Sequence, residues 1–150
     1  MARVRRRREV AAAPERLWRG VADPHHLARW WPGAERVEDA SPEEWTLVFR
    51  SGRGKAVRAD YTLVEADPFE RLCWRQELVA TPFERFLAES VTEIRLEPRQ
   101  EGEATRVELS LRQRLRGWAR VGAFLFRGAS KRRLDEALGN LDNVTTGRPA

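Results

Sequence analysis

Residues 14 to 32 constrain this chain more than any other stretch. Pro14 opens one short helical segment, Asp23-Pro24 opens a second, and Pro32-Gly33 ends it. Proline suits the first helical position because the N–H it lacks would have no partner there, and Asp23 is a good N-cap. The first helix is predicted from about Pro14 to Ala22, with Leu17, Trp18 and Val21 on one face. In the second, Leu27, Trp30 and Trp31 form the i, i+3, i+4 stripe of a helix buried on one side.

One strand-like segment, residues 2 to 11, precedes this pair. Six more follow, at 34–40, 44–50, 55–66, 70–80, 88–98 and 104–116, separated by turns such as Ser51-Gly52-Arg53-Gly54, Asp67-Pro68 and Glu101-Gly102. The last alternates most cleanly: Val107, Leu109, Leu111 and Leu115 share one face, while arginines and Glu108 share the other. Such strands bury one side only, as antiparallel strands do. A final helix is predicted from 118 to 141, but Trp118, Val121 and Leu125 lie roughly opposite Leu134, Leu138 and Leu141. Either the helix bends near Gly128, or its first half lines a cavity mouth while its second half packs on the sheet. Residues 142–150 read as a short polar tail, leaving 1–141 as one domain.

Composition closes off several functions. A chain of 150 residues fits one domain. The run from Val121 to Phe126 is far short of the ~20 apolar residues of a membrane span. Arg3 and Arg5 to Arg8 are not followed by the apolar core of a secretory signal. The lone Cys73 offers neither an internal disulfide nor a cysteine metal site, so a cytoplasmic setting is expected. Net charge is +5, yet acids are interspersed with the arginines, which argues against nucleic acid as the partner.

The element order, strand, two helices, six strands, long helix, resembles the helix-grip fold of the START-like (SRPBCC) superfamily. Its bacterial members include proteins named polyketide cyclase/dehydrase or lipid-transport proteins. The local carriers are Ala13-Pro14-Glu15-Arg16-Leu17-Trp18, Asp23-Pro24 with Leu27, Trp30-Trp31-Pro32, and Arg132-Arg133-Leu134-Asp135-Glu136-Ala137-Leu138. The resemblance implies an α+β domain in which a curved seven-stranded antiparallel sheet wraps around the C-terminal helix. It also implies an elongated cavity between them for an apolar or amphipathic small molecule. Cyclases, carriers and receptors share this fold, so function has to be argued from the site.

Two sets of residues are candidates for lining that cavity. The aromatic residues Trp30, Trp31, Tyr61, Trp74, Phe86 and Phe124 supply apolar wall, with core packing as the competing role. Gln76, Arg6 and Arg8 are polar residues on apolar strand phases. An unpaired buried polar group costs about 1–3 kcal/mol, so each needs a partner, Asp60, Glu77, Glu89, Glu93 or an oxygen of a ligand, unless a register slip turns the arginines to solvent.

Other constellations are weaker. His25 and His26 diverge by about 100° on a helix and have no cysteine partner, so no metal site is expected. Cys73 lies on the phase opposite Trp74, an outer-face thiol without an activating histidine. Glu77, Glu89 and Glu93 form no evident catalytic pair, and Ser51 to Lys55 is a hairpin turn, not a phosphate loop. No cofactor is expected. The favoured function is binding of a hydrophobic or amphipathic small molecule, as carrier or sensor. The alternatives are a metal-free polyketide cyclase/dehydratase-like enzyme and a basic interaction module built on Arg3 to Arg8. Oligomeric state is not legible, and a dimer is compatible with the sequence.

Overall fold

A computed structural model describes residues 2–147, apart from the side chains of Ala123, Phe124 and Phe126, so the expectation for Phe124 lies outside the described residues. The chain opens with β1 (Ala2–Val10) and passes through α1 (Pro14–Val21), a 3-10 turn (Pro24–His26) and α2 (Leu27–Trp30). It then lays down β2 (Ala34–Glu38), β3 (Glu44–Arg50), β4 (Ala56–Asp67), β5 (Arg71–Glu77), β6 (Leu87–Arg99) and β7 (Ala104–Leu115). A long helix, α3 (Ala123–Thr146), closes the fold.

The strands form one antiparallel sheet in the order β1-β7-β6-β5-β4-β3-β2. β1 and β2 occupy opposite edges, so α1 and α2 carry the chain across the sheet. Register irregularities at Ala34/Arg36, Leu63/Glu65 and Leu87/Glu89 add local twist, the means by which a sheet bends. The helix-grip α+β architecture implied by the resemblance is the one observed.

Boundaries differ in places with physical reasons. The second helix divides into the 3-10 turn and a single α turn; Asp23 caps the 3-10 turn by accepting from the His25 N–H at 3.0 Å. β5 stops at Glu77, and the connection to β6 folds into a 3-10 turn, Pro82–Arg85, opened by a Thr81 hydroxyl cap. A further 3-10 turn, Gly117–Arg120, precedes α3. α3 runs past residue 141 to Thr146, because Arg8 grips Asp142 and the Thr146 hydroxyl donates to the Asp142 carbonyl at 2.7 Å. Gly147, in the left-handed conformation at φ 74°, ends it.

The core occupies one end of the concave face. Val10, Leu17, Leu27, Trp30, Leu47, Ile94, Val107 and Leu109 meet Leu134, Leu138 and Leu141 from the second half of α3. The two apolar stripes of the last helical segment therefore part company: the second packs on the sheet, while Trp118, Val121 and Leu125 stay exposed. Among the described residues no helix is long and apolar enough to cross a membrane.

Candidate functional site

The other end of the concave face is not filled. Facing it, α3 presents Ala129 and Ser130 where its second half presents leucines, and β4 contributes Val57 and the small Ala59. The small side chains leave a hollow of about 570 Å³ that opens to solvent, within the size range of small-molecule sites. Trp31, Phe49, Tyr61, Phe83, Phe86 and Leu111 wall it. Leu87, Leu134 and Pro32 complete the apolar lining.

Polar groups enter from two neighbouring sheet rows and from α3. Gln76 stands opposite Tyr61 across the β4–β5 pair, and Tyr61 opposite Trp45 across β3–β4. Ser90 and Gln113 face each other on β6 and β7, with the Gln113 amide donating to the Ser90 hydroxyl at 3.4 Å, and Thr92 lies one row away, opposite Trp74 and Leu111. Tyr61 is only half-buried by surface area because it borders the hollow, yet it lies deep among protein atoms. That burial pushes its phenol up to about 12, with Arg133 opposing the shift, so at neutral pH Tyr61 is a hydrogen-bond donor.

Two cations reach the lining. Arg50 donates to Glu35 at 2.6 Å and to the Gly54 carbonyl at 2.9 Å. Arg133 has no carboxylate partner among the described residues: it donates to the Pro32 carbonyl at 3.3 Å and lies 5.9 Å from the Trp31 ring centre and 5.3 Å from that of Phe49. Cation–ring contacts at this range hold a guanidinium in place without neutralising it. Arg133 is exposed at the opening, where an anionic group on a guest can reach it.

Of the candidate lining residues, the hollow brings together Trp31, Tyr61, Gln76 and Phe86. Trp74 and Trp30 are spent in the core instead. Trp74 makes edge contacts with Trp31 and Trp45 at 6.0 Å, and Trp30 packs on Trp31 at 5.6 Å while its carbonyl accepts from Asn140. Arg6 and Arg8 do lie on the inner phase, opposite Leu109 and Val107, but β1 is an edge strand and α3 reaches them first. Arg6 pairs with Asp135 at 2.7 Å and Arg8 with Asp142 at 2.9 Å, so neither lines the hollow and their partners are not the four acids expected.

The remaining singled-out residues also find places. His25 and His26 sit at the helix start, His25 bonded to Asp23 at 2.8 Å. Among the described residues no three His, Cys, Asp or Glu side chains stand close enough to share a metal ion. Cys73 is on the outer face but buried at 5% exposure, under Arg71 and its partners Glu65 and Glu93. Burial pushes its thiol up.

Sequence reasoning passed over Arg133, Ser90, Thr92 and Gln113. Gln113 shares the phase of Leu109 and Leu111 and could have been flagged by the rule that found Gln76. Arg133 carries no such signal, because an arginine on an amphipathic helix reads as solvated surface.

A seven-stranded sheet gripping a C-terminal helix over a half-open apolar hollow defines a helix-grip fold. The model of the family described as polyketide cyclase / dehydrase and lipid transport matches residues 1–145, and the chain belongs to that family. A comparison with curated proteins found no match. Among solved structures, the ZhuI aromatase/cyclase of a Streptomyces species is similar at TM-score 0.76 and 18% identity, over 98% of this chain and 94% of that one. A Thermus thermophilus protein is similar at TM-score 0.76 and 21% identity, over 99% of this chain and all of its own. The two-domain aromatase/cyclase BexL of the BE-7585A pathway is similar at TM-score 0.75 and 22% identity, over 95% of this chain and 46% of BexL.

Proposed function

We propose that this protein binds an amphipathic small molecule, as a carrier or sensor, with the guest's apolar body against Trp31, Phe49, Tyr61 and Leu111 and its acidic or carbonyl end toward Arg133. The observation that carries this reading is the uncompensated Arg133 guanidinium at the mouth of an apolar hollow. Tyr61, Gln76, Thr92 and Ser130 supply further hydrogen bonds for a guest's oxygens. The lining holds neither carboxylate nor imidazole, so its groups are suited to holding a ligand more than to moving protons at neutral pH. The lone, buried Cys73 fits a cytoplasmic setting.

The test uses two fluorescent probes of one shape, anionic anilinonaphthalene sulfonate and neutral N-phenylnaphthylamine. Both should bind. Val57→Trp, which fills the hollow, should weaken both by about tenfold or more, a loss of about 1.4 kcal/mol. Arg133→Met should weaken the anionic probe by about fivefold, the upper range for an exposed charge pair, and spare the neutral one. Unchanged binding of both probes to a folded Val57→Trp variant overturns the reading.

A further inference from the structure

The exposed apolar side chains before and at the start of α3 lie in a stretch of sequence that carries charge of one sign. Trp118 is 91% exposed on the 3-10 turn, Val121 81% exposed just after it, and Leu125 72% exposed on the first turn of the helix. From Leu109 to Leu134 the sequence contains eight arginines and lysines and no acid. Of these, Arg112 and Arg114 meet Glu89 at 3.5 Å and 3.7 Å, whereas Arg116, Arg120, Arg127, Lys131 and Arg132 pair with no acid among the described residues. The flanking acids, Glu108 and Asp135, are already bound to Arg7 and Arg6.

We infer that this segment docks the protein onto an anionic membrane surface, Trp118, Val121 and Leu125 entering the headgroup layer and the free cations meeting lipid phosphates. Fully exposed apolar groups are costly in water, and a tryptophan among cations is the composition an interfacial segment requires. Arginine and lysine stems lie along apolar surface while their heads reach outward to phosphate. Charge complementarity selects an anionic bilayer. The position has a further consequence, since the Arg116 N–H donates to the Phe86 carbonyl at 2.8 Å and Phe86 walls the hollow. Docking therefore brings the bilayer close to the Phe86 wall of the hollow.

Co-sedimentation with vesicles tests this independently of whether the hollow binds anything. The full chain should sediment with vesicles containing phosphatidylglycerol and not with pure phosphatidylcholine, and binding should fall steeply with salt. Trp118→Ser with Leu125→Ser should reduce the partition coefficient by about tenfold or more with an unchanged thermal midpoint. Arg120→Gln with Arg127→Gln should weaken binding and flatten the salt dependence. No sedimentation with anionic vesicles at low salt, or undiminished sedimentation of the serine variant, overturns the inference. Capture by polyglutamate that matches vesicle binding and ignores Trp118→Ser would assign the face to an acidic protein instead, and equally overturns it.

Discussion

The Arg133 guanidinium lies over the Trp31 ring, 5.9 Å from its centre, and the same group lies 5.3 Å from the centre of Phe49. A helix residue is thereby pinned between α2 and β3 by two aromatic rings while its charge stays available at the opening. The arrangement depends on the flat shape of the guanidinium.

Arg133→Lys keeps the charge and loses the planar contact, so it should bind anilinonaphthalene sulfonate with affinity between the native protein and Arg133→Met. Each exposed cation–ring contact is worth about 0.5–1 kcal/mol, so either variant should lower the thermal midpoint by a few degrees. A lysine variant indistinguishable from the native protein in both measurements would refute the stacking role.

Tyr61 is the only tyrosine in the chain, so its phenolate absorbance can be followed without ambiguity. Burial raises the phenol from 10.0 to about 12, so the folded protein should show no phenolate band until well above pH 10. The unfolded phenol ionises first. Stability should therefore be undiminished by this group below pH 10 and decline as pH rises from 10 toward 12. A native-state phenolate titrating at the ordinary value would contradict the placement.

The two arginines of β1 should behave differently. Asp142 is 6% exposed in its side chain, so Arg8→Met strands a buried carboxylate and should cost about 1–3 kcal/mol, read as a lower midpoint in thermal or denaturant unfolding. Adding Asp142→Asn should restore part of the loss. Arg6 and Asp135 are both largely exposed, so Arg6→Met should cost less. Equal effects would mean that the Arg8 pair does not anchor the end of α3.

Cys73 should react slowly with a thiol reagent in the folded protein and at once after denaturation. Its cover is the cluster in which Arg71 donates to Glu93 at 2.8 Å and contacts Glu65, which raises the Arg71 guanidinium further. Arg71→Ala should speed labelling severalfold. Fast labelling of the native protein would show that the outer face is open there.

The elements were readable wherever local chemistry is decisive. Pro14 and Asp23-Pro24 fixed two helix starts, and the clean alternation through Val107, Leu109 and Leu111 fixed a strand and its buried face. Local pattern is silent where long-range contact decides. Nothing near Asp142 shows that Arg8, 134 residues earlier, extends the helix past it, and nothing around Trp74 shows that Trp45 and Trp31 enclose it.

The same division applies to the site. The phase of Trp31, Tyr61 and Gln76 put them on the inner face, but a phase cannot say which end of that face is filled. Arg6 and Arg8 share that phase and still pair with α3, because β1 lies at an edge. By itself the sequence determined the order of elements and the side each strand buries, since these follow from periods of 2 and 3.6 residues and from proline and N-cap chemistry. Only the tertiary structure decided where the hollow lies and which cation guards it. Both depend on where small side chains on α3 and β4 leave the space between the two layers unfilled, and on contacts between residues far apart in the chain.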